Sequence, residues 1–92
     1  MSQPDPFLLI AGPQGDRRIN LSQGAAWTIG RAEEHQVVLA DESVSRSHAL
    51  LQQTKPGELY LIDLGSRNGS FVNGVRVSVP LLLKDGDTIG IG

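Results

Sequence analysis

Apolar positions along the chain come in brief runs separated by turn residues: FLLIAG (7–12), RINL (18–21), AWTIG (26–30), QVVLA (36–40), HALLQQT (48–54), ELYLIDL (58–64), SFV (70–72), VRVSV (75–79) and DTIGIG (87–92). None keeps helical spacing long enough to make an amphipathic helix, so the pattern predicts strands. Alternation places Leu8, Ile10, Leu59, Leu61, Phe71, Ile89 and Ile91 toward a core, with Trp27 or Ile29 filling a large slot.

The punctuation agrees with this. Lys55-Pro56-Gly57-Glu58 puts proline where φ near −65° is wanted and glycine where φ must be positive, a type II turn between two predicted strands. Asn73-Gly74 reads as the two-residue type I′ loop of a hairpin, and Lys84-Asp85-Gly86-Asp87 as a further reversal. Short strands at this spacing, in a chain with 11 glycines, predict an all-β fold, an antiparallel β-sandwich.

Composition narrows the class. A chain of 92 residues makes one thin-cored domain, since a domain this small buries only a little over ~60% of its unfolded surface. There is no cysteine, which removes disulfides and thiolate metal sites and fits a reducing compartment. The opening MSQPDPF lacks a basic stretch followed by a long apolar run, and no segment approaches the roughly 20 apolar residues of a spanning helix. A cytoplasmic protein without a membrane partner is expected, with residues 1–5 as a frayed terminus and 6–92 as the domain. The formal charge of −2, from eight basic and ten acidic residues without a basic run, argues against a nucleic-acid partner.

Candidate chemistry gathers between the strands. Gly30-Arg31, SVSRSH (43–48), GSRNGS (65–70) and VNG (72–74) bring Arg31, Arg46 and Arg67 to strand ends beside glycine, serine and asparagine. A phosphate group carries about −1.5 to −2 charges and several strong acceptors. Guanidinium and hydroxyl donors, with backbone N–H groups exposed by glycine-rich turns, suit such an anion. The alternative is three unconnected arginines paired with Glu33, Glu34, Asp41 or Glu42. Exposed pairs contribute only ~0–1 kcal/mol and give little reason for three arginines at loop roots.

From about Trp27 to Gly92 the order GR, S-R-x-H, a strand pair, D-x-x-S-x-N-G-S, V-N-G and a GDxIxIG ending resembles the forkhead-associated (FHA) domain. The resemblance implies a SMAD/FHA-like β-sandwich that recognises phosphothreonine in a partner protein or peptide, without a cofactor. It implies that Arg31 binds the phosphate and that the Ser45 hydroxyl donates to it. Arg46 adds a second cation, Arg67 contributes through backbone or side chain, and Asn68 bonds the peptide main chain. Gly30, His48, Gly69 and Asn73 support the site, His48 by tying the loops together from below. A small cavity around Ser45, His48 and Asn68 would take the threonine methyl, worth roughly 1–3 kcal/mol against phosphoserine.

Two positions and the ending depart from the family pattern. Arg67 stands where threonine is frequent, and Ser43 where some members carry arginine. The chain also stops at Gly92, where the family continues into a final strand that pairs near the first. The sequence therefore reads as lacking that strand, which would leave FLLIAG as an unpaired apolar edge open to dimerisation by edge pairing or strand exchange.

Other readings fare less well. A hydrolase built on Ser45 or Ser47, with His48 as base and Asp63 as orienter, lacks the G-x-S-x-G elbow and a deep cleft. Only two histidines and no cysteine make a transition-metal site improbable. GSRNGS lacks the P-loop pattern and precedes a strand. Asn68 alone could be a left-handed turn residue. The competing function is a structural or oligomerisation module of the same fold that does not bind phosphate.

Overall fold

The structure, a computed structural model, describes residues 7–13, 15–21 and 24–92. The terminus expected to fray, residues 1–5, lies outside them. Ten strands are formed among the described residues: β1 (Phe7–Gly12), β2 (Gly15–Asn20), β3 (Ala26–Gly30), β4 (Val37–Val38), β5 (Ala49–Lys55), β6 (Glu58–Asp63), β7 (Ser70–Val72), β8 (Val75–Arg76), β9 (Leu81–Leu82) and β10 (Ile89–Ile91). They make two five-stranded sheets, ordered β2-β1-β10-β7-β8 and β4-β3-β5-β6-β9. Most neighbours are antiparallel; β1 with β10 and β3 with β4 are parallel.

The turn chemistry acts as the residues predict. Gly57 takes a φ of 82° in the β5–β6 hairpin, where Lys55 pairs with Glu58. Asn73 and Gly74, at φ values of 51° and 80°, close the β7–β8 hairpin between Val72 and Val75. In the third reversal the Asp87 amide donates to the Lys84 carbonyl while the Lys84 amide donates to the Asp87 carboxylate at 2.8 Å.

Ile10, Ile89, Ile91 and Val72 from one sheet meet Trp27, Ile29, Leu51 and Leu61 from the other. Each fully buried aliphatic side chain of this kind contributes about 1.5–3 kcal/mol. Leu8 and Leu59 pack half-buried against this core. Phe71 does not enter it. Its strand turns Ser70 and Val72 inward, and Phe71 faces outward beside Gly90 and Arg76. Ser70 can occupy the inner position because its hydroxyl has a carboxylate partner, Asp63, at 2.6 Å.

The expected open edge at FLLIAG is also corrected. β1 is an inner strand, paired with β2 over six residues on one side and with β10 through Ile10↔Ile89 and Ala11↔Gly90 on the other. Pairing by β10 removes the unpaired edge on which dimerisation was expected. Strand directions bring Gly30, Ala49, Asp63, Ser70 and Ile91 to one end of the sandwich. The β3–β4, β4–β5 and β6–β7 loops therefore share that end.

Candidate functional site

At this end the loops are bonded to one another. The Arg31 amide donates to the Ser45 carbonyl at 3.0 Å, and Arg31 Nε donates to the Val44 carbonyl at 3.0 Å. That second bond fixes the guanidinium and leaves its two terminal nitrogens available. Leu39 donates back to the Gly30 carbonyl at 2.9 Å. Gly30 is buried, and a Cβ there would overlap the Arg46 carbonyl and sit 2.6 Å from His35 Cδ2. Only glycine lets the β4–β5 loop approach this closely.

The β6–β7 loop joins from the other side. Ser45 Oγ accepts the Arg67 amide at 3.0 Å, so the hydroxyl hydrogen of Ser45 stays available to another acceptor. Asn68 Nδ2 donates to the Ser43 carbonyl at 2.7 Å, leaving its Oδ1 as an exposed acceptor. Asn68 is not a left-handed turn residue: the positive φ belongs to Gly69, at 94°. Asn73 lies outside this cluster, in the β7–β8 turn near the opposite end, where it bonds Asp87 and the Thr88 amide.

His48 is fully buried among these loops. A backbone N–H can only donate, so the Ser45 amide at 3.0 Å makes His48 Nδ1 an acceptor, and Nε2 carries the proton that it donates to the Gly69 carbonyl at 2.8 Å. Both ring nitrogens are thus committed to the backbone. This geometry rules out His48 as the base of a serine hydrolase. Asp63 is committed as well, accepting the Ser66 hydroxyl, the Ser70 hydroxyl and the Ser66 amide at 2.6, 2.6 and 2.9 Å. Burial pushes the Asp63 carboxyl up, but these hydrogen bonds outweigh it and hold the group below the usual aspartate range.

The loop tips carry both signs of charge, three arginines among several carboxylates. Among the described residues no ion pair joins Arg31, Arg46 or Arg67 to Glu33, Glu34, Asp41 or Glu42. The three guanidinium groups are therefore not tied up in direct pairs with those four carboxylates. Among the same residues, no three His, Cys, Asp or Glu side chains come together as a metal set, and no helix is long and apolar enough to cross a membrane.

Two parts of this architecture escaped assignment from sequence. Val44, an apolar residue, anchors Arg31 through its carbonyl, and no side-chain pattern reveals that. Asp63, Ser66 and Ser70 stand within the D-x-x-S-x-N-G-S motif, and their spacing is the signal for a loop clamped at both ends by one carboxylate.

The family model for the FHA domain matches residues 27–92. The chain belongs to the FHA domain family. Its fold is that of this family, whose members are non-catalytic binding modules. Over 64 residues the FHA domain is 47% identical to the ABC transporter ATP-binding/permease protein Rv1747 of Mycobacterium tuberculosis, covering 70% of this chain but only 7% of that protein. Among solved structures it is similar to M. tuberculosis EmbR in complex with a low-affinity phosphopeptide. The TM-score is 0.76 at 34% identity, over 90% of this chain and 21% of the EmbR chain. It is also similar to a domain solved in a structural and functional analysis of phosphothreonine-dependent FHA domain interactions, with a TM-score of 0.72 at 31% identity, over 94% of this chain and 84% of that one.

Proposed function

We propose that this FHA domain binds a phosphothreonine-containing segment of a partner protein across the β3–β4, β4–β5 and β6–β7 loops. Arg31 and the Ser45 hydroxyl hold the phosphate, Arg46 supplies a second cation, and Arg67 contributes through its backbone amide. Asn68 Oδ1 accepts a main-chain N–H of the bound segment, which fixes its course. Gly30, His48 and Gly69 hold the loops in register, and Asn73 supports the fold from the hairpin below.

One observation carries this reading: Ser45 Oγ is already held by the Arg67 amide at 3.0 Å while Arg31 Nε is held by the Val44 carbonyl at 3.0 Å. The hydroxyl hydrogen and the terminal guanidinium nitrogens are thereby left as preorganised donors for an anion. A site assembled before its ligand arrives loses little conformational entropy on binding.

The test is titration with degenerate peptide pools centred on phosphothreonine, phosphoserine or unphosphorylated threonine. Binding is expected for the phosphothreonine pool, with a loss of about 2–5 kcal/mol in Arg31→Ala. Binding of the unphosphorylated pool at equal strength, or no effect of Arg31→Ala, would contradict the proposal.

A further inference from the structure

A concavity lies beside the loop cluster, next to Asp41. A pocket of about 120 Å³ opens between the β1–β2 turn and the β4–β5 loop. Gly12, Pro13 and Leu39 supply its apolar lining, and Asp16, Arg17 and Asp41 its charges. The space is about four times the ~30 Å³ that one water occupies in the liquid, enough for a single unbranched side chain.

The pocket lies at the same end of the sandwich as the proposed phosphate site, with Ser43 between the two. β1 runs parallel to β10, which brings the β1–β2 turn to the end where Gly92 lies. A Cβ on Gly92 would meet Ser43 Oγ at 2.8 Å and Pro13 Cγ at 3.4 Å, so Ser43 and Pro13 flank the same spot. Ser43 in turn offers its carbonyl to Asn68 Nδ2. One residue, Ser43, thus links Asn68 on one side to Asp41 on the other.

Charges in the pocket are unequally committed. Arg17 Nη1 donates to the Val38 carbonyl at 2.8 Å, which ties that guanidinium to the backbone. Asp41 uses Oδ1 for the Ser43 amide and hydroxyl, at 2.9 and 2.8 Å, and its Oδ2 has no partner among the described residues. These bonds hold the Asp41 carboxyl below its ordinary range, so it is ionised at neutral pH. Asp16 likewise has no side-chain partner among the described residues. Two carboxylates with free oxygens against one tethered cation leave the pocket net negative.

Resting on the phosphothreonine reading above, we infer that this pocket takes the side chain of a lysine or arginine that flanks the phosphothreonine. The aliphatic stem lies along Pro13 and Leu39, and the cationic head reaches Asp16 and Asp41 Oδ2. The domain then selects segments in which a basic residue accompanies the phosphate, using the carboxylates of the β1–β2 turn and the β4–β5 loop where Ser43 offers no charge.

Fluorescence polarisation with three phosphothreonine pools, whose flanks are fixed as basic, alanine or acidic residues, tests this. The basic pool is expected to bind roughly three- to tenfold more tightly than the alanine pool, as one or two partly exposed ion pairs allow. Added salt should shrink that advantage. Asp16→Asn should lower the ratio of basic-pool to alanine-pool affinity and Asp16→Arg bring it to about one, while continued binding of the alanine pool reports that each variant is folded. Equal binding of the basic and alanine pools, a preference for acidic flanks, or a basic preference that survives Asp16→Arg would overturn the pocket assignment while the phosphate site stood. Failure of the parent domain to bind any phosphorylated pool would overturn both.

Discussion

Ser45 and His48 are joined by a hydrogen bond whose direction is fixed: the Ser45 amide donates and His48 Nδ1 accepts, at 3.0 Å. Because Nε2 meets the Gly69 carbonyl at 2.8 Å, one buried ring connects the β4–β5 loop to the end of the β6–β7 loop. Replacing His48 by alanine leaves a part-buried N–H and a buried carbonyl without partners and opens a cavity. The expected loss is about 2–4 kcal/mol of stability, read as a lower denaturation midpoint. Nitrogen NMR of the parent domain should report a neutral ring protonated at Nε2. A protonated-Nδ1 ring, or an alanine variant as stable as the parent, would remove His48 from this role.

Gly30 packs against the Arg46 carbonyl in a contact that admits only glycine at position 30, since a Cβ there would overlap that carbonyl. Backbone cannot swing away as a flexible side chain does. Gly30→Ala is therefore expected to cost about 1–3 kcal/mol, the range for overpacking a filled site. Phosphopeptide binding should fall with it, because Arg46 and Ser45 move with the displaced loop. Retained affinity in a destabilised Gly30→Ala domain would separate the loop contact from the binding geometry.

Asp63 gives the domain an acid limb. Its folded-state pKa lies below the unfolded one, so the stability it contributes is present above the unfolded value, about 3.9 for aspartate, and is lost as pH falls through the folded value. Denaturation midpoints should decline through that window. Asp41 and Asp87 are shifted in the same direction, so the decisive comparison is with Asp63→Asn, whose acid limb should be shallower. An asparagine variant with the parent's slope would assign the limb to the other two carboxylates.

Local physics was legible in the sequence, and non-local pairing was not. Asn73 and Gly74 could be placed because two successive positive φ values admit few residues, and both adopt them. The FHA motif order likewise located the loops, since glycine and short polar side chains have no better use in a strand. Phe71 was misplaced because a three-residue strand has two possible inward faces. The choice between them rests on Asp63, distant in sequence, which makes an inward Ser70 affordable. Leu81–Leu82 gave no alternation to read, and they become a strand only by pairing with Tyr60 and Leu61. The neighbour of β1 depended on a strand at the other end of the chain, a fact of topology that composition does not carry.

The bond from the Arg67 amide to Ser45 Oγ has a consequence for how such a site can diversify. The bond uses position 67 through its main chain, and every amino acid except proline supplies the same N–H. Side-chain identity there is therefore free to change without loss of this bond, and arginine is one residue that supplies it. Charge and reach at the loop tip can thus be altered by substitution at position 67 while the Ser45 hydroxyl keeps its anchor.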